Sequence, residues 1–189
     1  MTELLKKVSI SIEFKGLLNL YFEDILKELS KTFLLTRHIP FKESTVDITG
    51  PIAILNDFVV IYRLNTIILL SFGRVKLESL KNVFESLMFT LSKVFDRLSS
   101  AIHKITIDFM VKGDYINNEK LLKLMGLHNK VDEIIGLKLR KDATIFEIFK
   151  DLLSDVYFIR IIMTEEFSEK FDIVESIKRA LKYIKGFLG

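Results

Sequence analysis

Histidine and carboxylate side chains have the widest chemical reach in this sequence, and their spacing limits what they can do. His38, His103 and His128 stand far apart, and none has a second histidine or a carboxylate at the His-Glu-x-x-His spacing. That spacing is what places two ligands on one helix face. There is no cysteine, which excludes disulfides, thiolate-bound zinc, iron–sulfur clusters and thiol nucleophiles. No metal site and no cofactor is expected.

Among the carboxylates, Glu165-Glu166 and Asp132-Glu133 are adjacent pairs. Neighbours on a strand point to opposite faces, so neither suits a shared proton. Glu13 and Asp108 are the weak polar-face candidates, because they hold equivalent places in two similar strands. If a twofold axis brought them together, repulsion would raise one pKa and allow acid–base chemistry. The ordinary alternative is two solvated sheet residues, paired with Lys7 and Lys104.

Motifs for nucleophiles and phosphates are missing. There is no Gly-x-Ser-x-Gly, and the eight glycines form neither Gly-x-Gly-x-x-Gly nor Gly-x-x-x-x-Gly-Lys. Ser30-Lys31 and Ser92-Lys93 read as solvent-face pairs. No catalytic residue is assigned, and an enzyme is the last of the readings.

Two basic groups are candidates for nucleic acid: Lys138, Arg140 and Lys141, and the C-terminal set Lys178, Lys182 and Lys185, which share one side of a helix. The formal net charge of +3 is too small to imply such a partner by itself. A sheet face carrying Ser9, Ser11, Glu13, Thr106 and Asp108 lacks the apolar and basic groups that wedge into a minor groove.

These residues sit on elements whose periods are legible. The apolar residues Leu80, Val83, Phe84, Leu87, Met88, Leu91, Val94, Phe95 and Leu98 recur at helical spacing, which predicts a long central helix over 75–99. Phe89 falls opposite Leu80 on that helix, at about 100° per residue. It is the interface candidate.

Lys7 to Phe14 alternates as a half-buried strand, followed by a predicted helix over 17–33. Pro40 marks a loop, and Thr45 to Thr49 reads as a strand ended by Gly50-Pro51. Phe58–Arg63 and Thr66–Phe72 form a predicted hairpin about Leu64-Asn65. Farther on, Ile105–Phe109 reads as a strand. A helix runs from Asn117 or Asn118 to Met125, with one or two short strands at Val131-Asp132 and Leu137–Arg140. The stretch 145–153 fits either a strand or a short helix, with the helix favoured; 156–163 reads as a strand and 173–188 as a helical face.

Ile10-Ser11-Ile12-Glu13-Phe14 is echoed by Ile105-Thr106-Ile107-Asp108-Phe109, and Leu77-Glu78-Ser79-Leu80-Lys81 by Val174-Glu175-Ser176-Ile177-Lys178. Ile25–Leu29 is echoed in turn by Leu121–Met125. Similar offsets suggest an internal duplication, with a first half over 1–100 and a second over 101–189 in one compact unit; two unrelated units with the same residue grammar are the alternative.

The expected class is α+β: two β-α-β-β-(β)-α halves forming one antiparallel sheet with two long helices on one face. This plan resembles the saddle of TATA-binding proteins and other helix-grip folds. No sequence motif of those families is present, and fold alone carries no function.

Apolar residues make up 49% and charged residues 28% of the chain, which excludes a disordered class. Abundant Lys and Glu with only two prolines suit a thermophilic, cytoplasmic source. The N-terminal residues lack the pattern of a signal peptide. A membrane span over Ile52–Phe72 would bury Asp57 and Arg63, at about 2.5–3.5 kcal/mol for such a group near its centre, so no membrane partner is expected. The leading reading is a non-catalytic protein-interaction or assembly module, with a partner protein or itself as a homodimer. A nucleic-acid-binding protein and a carrier of a hydrophobic small ligand are the alternatives.

Overall fold

The computed structural model of the chain describes residues 4–5, 7–36, 50–112, 119, 122–123, 136–141, 144–150, 156–163 and 171–188. The first half runs β1 (Leu4–Leu5), β2 (Val8–Phe14), a 3-10 turn (Leu18–Tyr21), α1 (Phe22–Leu29), β3 (Leu34–Leu35), β4 (Gly50–Leu55), β5 (Phe58–Arg63) and β6 (Thr66–Ser71). It closes with β7 (Val75–Lys76), α2 (Leu77–Ser92) and the single turn α3 (Leu98–Ala101). The second half runs β8 (Ile102–Lys112), β9 (Gly136–Lys141), β10 (Thr144–Lys150), β11 (Val156–Met163) and α4 (Ile173–Leu188), with Glu119, Leu122 and Lys123 helical between β8 and β9.

The chain is α+β. Among the described residues nine strands form one antiparallel sheet in the order β3-β4-β5-β6-β2-β8-β11-β10-β9, and β1 pairs with β7 in a small ribbon. At the centre, β2 lies against β8, with Ile10 opposite Ile107, Ser11 opposite Thr106 and Ile12 opposite Ile105. The two echoed strands are therefore neighbours. Ser11 lies directly opposite Thr106, the residue that echoes it in sequence.

Strand alternation makes the sheet two-faced. On one face Ile10, Ile12, Ile105 and Ile107 are buried beneath the helices. There α1 contributes Phe22, Ile25 and Leu29, α2 contributes Leu80, Val83, Phe84, Leu87 and Leu91, and α4 contributes Ile173, Ile177 and Leu181, all in one apolar cluster with the strands. Asp172 starts α4: its Oδ1 accepts the backbone N–H of Val174 at 2.8 Å and of Glu175 at 3.0 Å.

Several boundaries differ from the sequence expectation. The segment read as a helix over 145–153 is a strand over Thr144–Lys150, paired on both sides by β9 and β11. Seven residues are too few for apolar spacing to separate the two periods, and cross-strand partners decided the outcome. Gly50-Pro51, read as a turn signal, lies within β4, and the ladder slips between Pro51 and Ala53, which accommodates a proline with no N–H to give.

The helix read over 75–99 ends at Ser92. A turn follows, and it sets the Phe95 ring 5.3 Å from Phe14 and 4.8 Å from Tyr21. Ring packing thus overrides a helical stripe that continues in sequence. The helix read over 17–33 is shorter as well, because Leu18 donates its N–H to the Leu64 carbonyl at 3.0 Å and ties the entry to a hairpin. That hairpin turns at Leu64-Asn65 as expected, whereas the positive-φ asparagine is Asn56, in the turn from β4 to β5.

Candidate functional site: the uncovered face of the sheet

Helices α1, α2 and α4 pack on one face of the sheet, and the second face, where Val59 is buried and its neighbours are partly exposed, is the candidate site. Residues opposite one another in the ladders share a face, so rows of this surface follow from the register. One row runs Leu34, Ile54, Val59, Leu70, Ser9, Asp108, Arg160, Glu147 and Lys138, from one edge of the sheet to the other. The next runs Ile61, Ile68, Ser11, Thr106, Ile162, Ile145 and Arg140. In these two rows the flank over β3–β6 is apolar, the centre is small and polar, and the far flank is charged in the first and runs from isoleucines to Arg140 in the second; a third row, Arg63, Thr66, Glu13 and Lys104, is mostly charged.

The charged stretch is held by ion pairs across four strands. The Arg160 guanidinium grips Asp108 with its Nε 2.7 Å from Oδ1 and a second contact of 3.4 Å to Oδ2. Its Nη1 lies 3.6 Å from Glu147, whose other oxygen accepts Lys138 Nζ at 2.8 Å. The hydrogen bond from Lys138, aided by Arg160, holds the Glu147 carboxyl below its ordinary pKa. The hydrogen bond that Arg160 donates to Asp108 pushes the guanidinium pKa up.

Glu13 and Asp108 do not meet. Glu13 stands opposite Lys104 and Asp108 opposite Ser9, four residues apart along β2. That separation is roughly 13 Å at about 3.4 Å per residue. Each has its own cation, since Lys104 Nζ lies 2.9 Å from Glu13 and Arg160 takes Asp108. The arrangement offers two ion pairs and no shared-proton dyad.

The basic candidates fall on two sides of the molecule. Lys178 and Lys182 are exposed on α4, in the helix layer, whereas Lys138 and Arg140 belong to β9 and the uncovered face. The side chains of Lys141 and Lys185 lie outside the described residues. The face does carry apolar and basic groups beyond those read from β2 and β8, because the flanking strands supply them.

Phe89 is 64% exposed on the outer side of α2, with Lys93 Nζ 4.5 Å above its ring. It lies in the layer opposite the uncovered sheet face. Sequence reasoning missed Leu34, 74% exposed, and Phe72, 65% exposed, at the rim of that face. Phe72 continues the alternation of β6, its N–H bonding to the Asp57 carbonyl at 2.9 Å. The signal was present as apolar residues on both faces of β5 and β6, which a one-sided sheet does not need.

His103 is exposed at the start of β8, and among the described residues no group of histidine and carboxylate side chains has metal-binding geometry. His38, His128, Asp132-Glu133 and Glu165-Glu166 lie outside the described residues, as do the strands read at 45–49 and 131–132. Of the helix read from Asn117 or Asn118 to Met125, only Glu119, Leu122 and Lys123 are described. No helix among the described residues is long and apolar enough to cross a membrane. The chain matches no protein-family profile and no curated protein sequence.

Proposed function

We propose that the protein is a non-catalytic protein-interaction or assembly module that makes contact through the uncovered face of its sheet. The observation that carries this reading is the largely apolar flank of β3–β6, where Arg63 at the end of β5 is the charged member among the described residues. There Ile54, Ile61, Ile68 and Leu70 are only partly buried, and Leu34 and Phe72 are exposed at the rim. Contiguous apolar surface of this kind marks contact sites. Each carboxylate of the face is already paired with a cation of the same chain. That leaves little for acid–base chemistry to use.

The test is retention on a phenyl column, with far-UV circular dichroism as the check on folding. Leu34→Asp combined with Phe72→Asp is expected to shorten retention markedly, and Phe89→Asp to change it little. Retention that ignores the rim pair and falls with Phe89→Asp would move the contact surface to the helix layer. Oligonucleotide binding at low salt that Lys178→Glu and Lys182→Glu abolish would favour the nucleic-acid reading instead. We also infer that the two halves descend from one αβ unit, a reading supported by the shared order of elements and by Ser11 facing Thr106.

A further inference from the structure

We infer that the charged flank of the sheet, over β8–β11, binds a single-stranded nucleic acid, with a base stacked on Phe149 and phosphates beside Lys138 and Arg140. This goes beyond the protein contact proposed above, which uses the opposite flank.

The register sets an aromatic row next to the ion pairs. Gly136 lies opposite Phe149, Phe149 opposite Phe158, and Phe158 opposite Met110. Each stands two places along its strand from Lys138, Glu147, Arg160 or Asp108, so the row shares their face. Phe149 is 44% exposed, and its ring takes the space over Gly136, where a Cβ would stand 3.3 Å from Cδ1. The missing side chain lets the ring lean over the strand that ends the sheet order among the described residues. Beside it, the Arg160 Cζ lies 5.8 Å from the centroid of the Phe158 ring. Part-exposed rings next to cations are what single-strand binding uses, because every base has a π-face to stack.

Charge selects the same occupant. Among the described residues the strands of this face carry Arg63, Lys104, Lys138, Arg140 and Arg160. Against them stand the carboxylates Glu13, Asp108 and Glu147. The excess is positive, which suits a polyanion. The Lys138 side chain is 64% exposed, and Arg140 is exposed as well. They sit two residues apart on one side of β9, a step of about 6.8 Å. Ring, lysine and arginine thus occupy three successive rows along this edge. A strand laid along β9 meets a stacking surface and then two cations. An acidic peptide would use the cations and leave the ring idle, and a duplex keeps its bases stacked on each other.

Fluorescence anisotropy of the full chain with a labelled oligouridylate of about twelve nucleotides tests this. Binding should weaken roughly sevenfold between about 50 and 200 mM salt, the slope for two phosphate contacts on a single strand. Phe149→Leu, which fills the space over Gly136 without a π-face, should weaken it at least about fivefold, and Phe149→Tyr should restore it. Lys138→Gln with Arg140→Gln should flatten the salt dependence. Lys178→Glu with Lys182→Glu, and Leu34→Asp with Phe72→Asp, should leave binding unchanged. Circular dichroism checks that each variant is folded. The inference is overturned by no binding at the lower salt, by binding indifferent to Phe149→Leu, or by equal affinity for an RNA duplex or polyglutamate. Phenyl retention depends on Leu34 and Phe72 instead, so this reading and the protein-contact reading fail separately.

Discussion

Tyr62 is a polar side chain placed where the core has nothing to offer it. The residue is 1% exposed, its ring meets Phe22 edge-on at 4.7 Å, and its hydroxyl has no hydrogen-bond partner among the described residues. A buried hydroxyl without a partner forfeits its hydration with no return. Tyr62→Phe should therefore stabilise the fold by about 1–2 kcal/mol in chemical denaturation. Burial also pushes the Tyr62 pKa up to about 12, from the ordinary 10. Because the folded-state value is the higher one, this contribution to stability is whole below pH 10 and drains away as the pH rises toward 12. The loss is on the order of 2 kcal/mol for such a shift. Denaturation midpoints followed from pH 9 upward should fall more steeply for the wild type than for Tyr62→Phe; equal slopes would mean that the hydroxyl finds a partner in solution.

At the scale of elements, the row that crosses β8, β11, β10 and β9 shows how ion pairs fix a register. Sliding β10 by one residue would turn Glu147 to the helix side and bring Ile148 out of the core. The energetic coupling should still be modest, since Arg160 is 39% exposed in its side chain. A double-mutant cycle with Arg160→Met and Asp108→Asn should give about 0.5–1 kcal/mol, shrinking in high salt. A salt-independent value of several kcal/mol would mean that the pair is more deeply enclosed.

The same row explains what the sequence hid. Strands β2 and β8 were legible because their polar residues alternate with isoleucines, and α2 because its stripe runs unbroken. Strand β10 was not, because Glu147 has a role only beside Lys138 and Arg160, which lie nine residues before it and thirteen after it in the chain. The candidate site was harder still: Leu34, Ile54, Ile68 and Phe72 become one surface only through the pairing of β3 with β4, β4 with β5 and β5 with β6. Adjacency across strands is a long-range fact, and a local pattern does not contain it.

For the whole molecule, the two halves join their sheets edge to edge and lay α1, α2 and α4 over one side. Everything proposed about function concerns the other side. Phe89, the residue that breaks the pattern of α2, sits on the outer surface of the helix layer and serves as the internal control. Hydroxyl-radical footprinting of the intact chain, read residue by residue at low and at high protein concentration, compares the two surfaces directly. Labelling of Leu34 and Phe72 should fall as the concentration rises, while that of Phe89 stays constant. Constant labelling at Leu34 and Phe72, or protection that appears only at Phe89, would contradict self-association through this face of the sheet.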